Sequence, residues 1–308
     1  MNLDRDRTAL AAFIVGTVLA GGNAVGVRVS NRELEPLWGA GLRFLLAACL
    51  LGAVMVGMRL TLPRGRALLG VLVYGTLIFG GAFSFAYYAL VRIHAGLGQT
   101  LLALVPLATL LLAVVQRQER LRLAAVVGTV LSVAGISVIS EVSGRESVPV
   151  LSLLAVLGAV LCFAQATVLV RHFPPVHPVT TNAVGMVTGA AILVALSLVL
   201  NESIVLPERG ATWLALAYMV VLGSGPVFVL YVVVVRLWSA SRAAYTFVLI
   251  PLVTVLLSAW IDDEPVGAGL IFGGLLVLAG VYVGALRPAA SRALRTQVEG
   301  AAPSTRRG

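Results

Sequence analysis

Lysine is absent from the chain, and all of its basic charge is carried by 22 arginines. Cysteine is nearly absent. Cys49 and Cys162 stand alone inside apolar stretches, which excludes a disulfide framework and a thiolate metal site and leaves two small buried hydrophobes. His94, His172 and His177 are scattered at the ends of apolar runs, so they offer neither metal-ligand spacing nor a buried proton relay. Charge as a whole is scarce, at 11% of 308 residues, and every Asp and Glu falls near a candidate loop or a terminus. Catalysis within the apolar runs would need a His/Asp/Glu cluster, a Ser–His or Ser–Lys pair or a metal motif, and none is there. P-loop and Rossmann fingerprints in a strand–turn–helix setting are missing too. These absences argue against an enzyme, including one acting on lipid, and no cofactor is called for.

What remains is apolar. Hydrophobic residues make up 59% of the chain and the mean hydropathy is +1.01, which no soluble domain with a mixed, charged surface reaches. A hydrocarbon core of roughly 30 Å takes about 20 helical residues. Ten such runs are centred near 8–27, 36–57, 67–89, 94–115, 122–140, 149–170, 179–200, 211–234, 239–261 and 266–286. Stretches such as LLALVPLATLLLAVV (101–115) lack the period-2 alternation of a membrane barrel. The fold class expected is therefore an all-α polytopic membrane protein of ten helices, with the lipid bilayer as its solvent.

The first run follows Asp4, Arg5, Asp6 and Arg7 and lacks an A-x-A cleavage site, so it reads as retained. With ten spans both termini share a side. That side collects 16 arginines and the opposite side five, Arg28, Arg32, Arg92, Arg145 and Arg209. The bias puts both termini in the cytoplasm. The same arginines account for the net charge of +9 through topology and the anionic inner leaflet, so no nucleic-acid partner is needed. Residues 289–308 read as a disordered basic tail on the cytoplasmic surface.

The chain also repeats itself. Pro106, Glu119, Gly128 and Gly135 fall on Pro251, Glu264, Gly273 and Gly280 at one constant offset, and Leu107, Thr109, Leu111, Leu112, Leu131 and Ala134 meet identical residues at that offset. Residues 1–141 and 148–288 are then two five-span copies. An odd number of spans inserts the second copy upside down, the arrangement that lets two halves exchange roles around a central site and open to either side. Within each copy the two glycines lie two turns apart on one face, Gly128 with Gly135 and Gly273 with Gly280, which suits close helix packing.

The stretch GTLIFGGAFSFAYYALVRIHAGLGQTLLALVPLATLLLAVVQRQERLRLAAVVGTVLSVAGISVI (75–139) resembles the third to fifth helices of the EamA family in the drug/metabolite transporter superfamily. AGGNAVGVR (20–28), EPLWGAGLRFLLA (35–47) and LCFAQATVLVR (161–171) resemble its first, second and sixth helices, so the likeness spans nearly the whole chain. Ala20 stands where the family often has Trp, which removes one aromatic surface. The resemblance implies ten helices in a 5+5 inverted repeat and residence in a bacterial cytoplasmic (inner) membrane. It also implies export of amino acids, other metabolites or drugs through a cavity between helices one to four and six to nine, with helices five and ten peripheral. The fold also fits a flippase of lipid-linked intermediates, which an open lateral seam would favour, a sealed polar cavity favouring a metabolite. The oligomeric state is open between monomer and homodimer.

Several residues are candidates for binding the small-molecule substrate. Arg43 is the only charge well inside a span, with no intramembrane carboxylate to pair with; it either takes a substrate anion or reaches outward to loop carbonyls, and its depth of about 10 Å favours the outward reach. Asn23, Gln99, Gln165 and Asn182 are amides that must find interhelical partners, water or substrate. Tyr87 and Tyr231 occupy corresponding positions before Arg92 and Arg236, and with Tyr88 and Tyr245 they offer an apolar face and a hydroxyl. Trp38 and Trp238 read as interfacial belt residues. Pro106 and Pro251 are expected midway along the fourth and ninth helices, and Pro226 in the eighth, as kinks or pivots. Glu119 and Glu264 read as caps or loop anchors. The topology predicts that a reporter fused to the first residue and one fused to the last respond from the cytoplasm; a periplasmic signal from either would contradict it.

Overall fold

The computed structural model describes residues 3–90, 101–139, 149–261 and 268–286, which form helices and connecting turns with no strand among them. Gln99, Glu264, the junction between the two copies and the tail lie outside the described residues. Six helical stretches are long and apolar enough to cross a membrane: Arg5–Val27, Pro36–Gly57, Arg66–Ala89, Val150–His172, Pro178–Val199 and Gly210–Leu237. Four shorter apolar helices, Val105–Val115, Leu123–Val138, Ala240–Val253 and Ile271–Leu286, fall on the remaining four runs. A helix is the economical form for such sequence, since it pairs every backbone group within one segment.

The first span is broken. Helices α1 (Leu3–Gly21) and α2 (Asn23–Ser30) meet at Gly22, where the Tyr218 ring fills the space a Cβ would need. The Tyr218 hydroxyl donates to the Leu19 carbonyl at 2.9 Å, so the carbonyl freed by the break is satisfied from another span. Helix α3 (Pro36–Gly57) follows. The next span joins α4 (Arg66–Gly75) and α5 (Phe83–Leu90) through a π-helical stretch, Thr76–Ala82.

Helices α6 (Val105–Val115), α7 (Leu123–Ile139), α8 (Val150–His172) and α9 (Pro178–Val199) come next. A second π-helical stretch, Met219–Ser224, joins α10 (Gly210–Tyr218) to α11 (Gly225–Leu237). The described chain ends with α12 (Ala240–Ala243), α13 (Thr246–Ile261) and α14 (Ala268–Val281), which a third π-helical stretch, Tyr282–Leu286, continues. One of the three prolines differs from expectation: Pro106 opens α6, at a first-turn position where a missing N–H costs nothing. Pro226 lies within the eighth span, Gly210–Leu237, where it opens α11 just after the π-helical stretch. Pro251 alone lies inside a helix.

Helix α3 lies along α9, and α7 along α14, while α1 packs on α11 and α13 and α8 on α5 and α6. On α7, Gly128 faces Gly280 of α14 and Gly135 faces Gly273, so the two helices run antiparallel. A Cβ on Gly128 would stand 2.6 Å from the Gly280 carbonyl oxygen, and one on Gly135 2.6 Å from that of Gly273. The pairing is reciprocal: exchanging repeat-equivalent residues turns one contact into the other, as in an isologous interface.

Three glutamates tie distant segments together by capping foreign helices. Pro36 supplies no N–H at the start of α3, and the next two amides, of Leu37 and Trp38, donate to the Glu202 carboxylate at 3.1 and 2.8 Å. Glu33 accepts from the Glu208 and Arg209 amides just before α10. Glu119 accepts from the Ser241 amide at 3.1 Å and its hydroxyl at 2.5 Å, at the start of α12, with Arg171 4.0 Å away. Each carboxylate offsets the positive end of a helix whose first N–H groups have no internal partner.

Two outcomes follow. Gly280→Leu forces α14 away from α7 and lowers thermal stability by at least about 1–3 kcal/mol, read as a lower melting temperature in detergent; an unchanged melt would contradict the contact. Hydrogen bonds from Thr212 and then from the Glu208 amide hold the Glu33 carboxyl below its usual range. A carboxyl depressed in this way adds stability above its unfolded pKa and loses it as pH falls through the folded one. Wild type therefore melts slightly above Glu33→Gln at neutral pH, the exposed position keeping the margin small, and the margin closes below about pH 4. A margin independent of pH would contradict the cap.

Candidate substrate cavity

A cavity of about 500 Å³ lies among α1, α2, α3, α5, α8, α11 and α13, lined by residues that run from Asn31 to Phe13, Val234 and Thr246. Asn31 is exposed in the turn between α2 and α3, whereas Phe13, Val234 and Thr246 are buried. The cavity thus reaches the surface at one end.

Aromatic rings recur around its wall. Phe83 and Tyr87, four residues apart on one helical face, line it, and Phe79, four residues before Phe83, is fully buried beside Phe228. Phe83 meets Phe163 edge-on at 5.8 Å, Phe163 meets Phe247 at 4.7 Å, and Phe79 meets Phe228 at 4.8 Å. Tilted and edge-on contacts of this kind lock rings against one another and keep the space between them open. The Tyr231 hydroxyl is fixed by the Thr167 hydroxyl at 2.6 Å.

The polar part of the wall is small and depends on the π-helical stretch Met219–Ser224. Arg43 is only 3% exposed. Its Nε donates to the Ser224 hydroxyl at 2.7 Å and its Nη2 to the Gly223 carbonyl at 3.4 Å, with the Tyr87 hydroxyl as a further neighbour. The Asn23 amide donates to the same Gly223 carbonyl at 2.8 Å. A π-helical turn leaves carbonyls without the usual partner four residues on, and Asn23 and Arg43 supply donors to one of them. The outward reach expected of Arg43 is therefore not what the chain adopts: its partners lie inside the protein, because the widened turn offers acceptors closer than the interface.

The buried end is closed by Trp238, which packs against Phe13 at 5.5 Å while the Arg242 guanidinium covers its ring at 4.5 Å. Arg242 in turn donates to the Ala285 carbonyl, and Arg5 to the Arg236 carbonyl at 3.5 Å. Trp238 is 6% exposed and so departs from the interfacial belt role; Phe13 and Arg242 enclose it.

Of the candidates read from the sequence, Asn23, Arg43, Tyr87 and Tyr231 line the cavity. The other described candidates are placed elsewhere. Gln165 accepts from Gln116 at 2.8 Å, and Asn182 joins the Pro178 carbonyl at 2.9 Å to the Tyr74 hydroxyl at 3.4 Å. Tyr245 donates to the Ala125 carbonyl at 2.8 Å and meets the Thr129 hydroxyl at 3.1 Å. Tyr88 packs beside Ala89, Ala155 and Val156. Five phenylalanines, Phe13, Phe83, Phe163, Phe228 and Phe247, are cavity residues that sequence reasoning missed, and Ser224 was missed as the partner of Arg43. The four-residue spacing of Phe83 and Tyr87 was a usable signal for one wall; nothing in the sequence marked Ser224.

The profile of the EamA-like transporter family matches this chain twice, over residues 7–141 and 150–285. The chain belongs to the EamA-like transporter family. It is 27% identical over 268 residues to an uncharacterized transporter of Archaeoglobus fulgidus, covering 83% of this chain and 91% of that one. It is 25% identical over 293 residues to a probable amino-acid metabolite efflux pump of Escherichia coli, covering 91% and 95%. An uncharacterized inner membrane transporter of the same organism, YedA, is 24% identical, covering 85% and 88%. A solved crystal structure shares the fold at a TM-score of 0.79 and 21% identity, covering 94% of this chain and 99% of that one. The EamA-like chain is thus a multi-pass membrane transporter whose curated relatives are named as transporters and efflux pumps.

Proposed function

We propose that this EamA-like protein exports small metabolites, amino-acid-like compounds foremost, by alternating access between two inverted five-helix halves. The observation that carries the reading is a cavity reaching the surface at one end and shut at the other by Trp238, Phe13 and Arg242. The inverted halves are supported by the double family match and by the reciprocal antiparallel contact of α7 with α14. The amino-acid cargo is supported by the relatives named as amino-acid metabolite efflux pumps. Both termini are assigned to the cytoplasm of a bacterial inner-membrane protein from the arginine bias, which makes the closed end the cytoplasmic one.

Transport here is downhill. Among the described residues no Asp, Glu or His lines the cavity, and proton-driven carriers usually hold such a group within the membrane. A lipid-linked cargo is the second reading, favoured by how few polar side chains the wall carries. Purified protein in liposomes tests both. Labelled amino acids are expected to equilibrate, and to exchange against unlabelled ones, without an imposed pH gradient. Uptake that requires such a gradient removes the downhill mechanism; transfer of a lipid-linked compound with no amino-acid flux replaces the cargo.

A further inference from the structure

Among the described residues the cavity wall holds one buried cation and no anion. Ser224, the Gly223 carbonyl and Tyr87, the groups around the Arg43 guanidinium, are all neutral, and among the described residues the one ion pair is that of Arg171 with Glu119. An uncompensated guanidinium surrounded by aromatic rings is an expensive state for a protein to keep. It is relieved by an anion brought in from outside. Guanidinium presents five N–H donors in a planar fork, so bonds to Ser224 and Gly223 leave donors for a further acceptor.

Resting on the transporter reading, we propose that Arg43 is the anion-recognising residue of the cavity, and that its ligand is a single carboxylate carried on an apolar or aromatic body. Charge decides between anions. No second cation lines the described wall, so a phosphate dianion would leave net negative charge among Phe83, Phe163, Phe228 and Phe247, whereas one carboxylate neutralises one guanidinium. Geometry agrees, because the arginine fork matches the two oxygens of a carboxylate. The Asn23 Nδ2 shares the Gly223 carbonyl with Arg43 and so holds that acceptor in place, and the aromatic wall takes the rest of the molecule.

Calorimetry on the purified full-length protein, titrated with indoleacetate and with the isosteric neutral amide indoleacetamide, tests the assignment. Wild type is expected to bind the acid about tenfold or more tightly than the amide. Arg43→Lys keeps the preference at reduced affinity, and Arg43→Gln binds acid and amide alike while its affinity for the amide stays near the wild-type value. Equal affinities in wild type, including none for either compound, overturn the proposal, as does a preference that survives in Arg43→Gln. Where Arg43→Gln yields no folded protein, the wild-type comparison and Arg43→Lys decide. In liposomes, flux of the amide as fast as the acid overturns the carboxylate assignment and leaves the exporter reading standing. Selective binding of the acid without any flux does the reverse.

Discussion

An unpaired peptide group is costly in hydrocarbon, and the need to pair every one of them organises this chain. Long helices meet most of the requirement, and the exceptions show how the rest is met. At Gly22 the carbonyl released by a broken helix takes a hydroxyl from Tyr218. At Gly223 the π-helical turn offers a carbonyl to Asn23 and Arg43. At the starts of α3, α10 and α12, amides with no partner of their own are collected by Glu202, Glu33 and Glu119. These three carboxylates thus work at helix ends, each joining segments more than a hundred residues apart, and none of them lines the cavity.

The same constraint explains how the helices hold together. Lipid is as apolar as leucine, so helices gain little by hiding apolar surface from it and associate instead through close packing and interhelical hydrogen bonds. The α7–α14 contact does this by removing side chains, glycine against glycine. Around the cavity the opposite device operates: large rings meet edge-on, and their bulk keeps the helices from closing together. Small residues at the periphery and large ones in the centre leave a space that is stable without being filled.

Much of this was legible in the sequence. The apolar runs, the glycine pairs two turns apart and the scarcity of charge each have a one-dimensional signature. The polar wall did not. Asn23 and Asn182 look alike in the sequence, each an amide in an apolar run, yet Asn23 faces the cavity and Asn182 bonds Tyr74. A helix apolar on all sides carries no periodic signal to say which face looks inward. Pro106 misled for a related reason: proline marks a helix start as readily as a kink, and the choice depends on a turn at Ala103 and Leu104 that the apolar run conceals. The π-helical turns were invisible because the donors that satisfy them come from helices up to two hundred residues away.

A carrier changes which side it faces only if its cargo binds the two states unequally, so cargo must touch the elements that close the gate. In the alternating-access mechanism proposed above, the cavity and its closed end share their helices. Helix α11 presents Tyr231 and Val234 to the cavity and leads directly into Trp238. Helix α13 presents Thr246 and Phe247 to it and follows α12, whose first turn is capped by Glu119 and whose Arg242 covers Trp238. A molecule pressed against Tyr231 and Phe247 therefore acts on the two segments whose displacement would part Trp238 from Phe13. Under that proposal a gate at Trp238 would need no relay of intermediate side chains, since one continuous stretch of backbone would carry both the contact and its consequence.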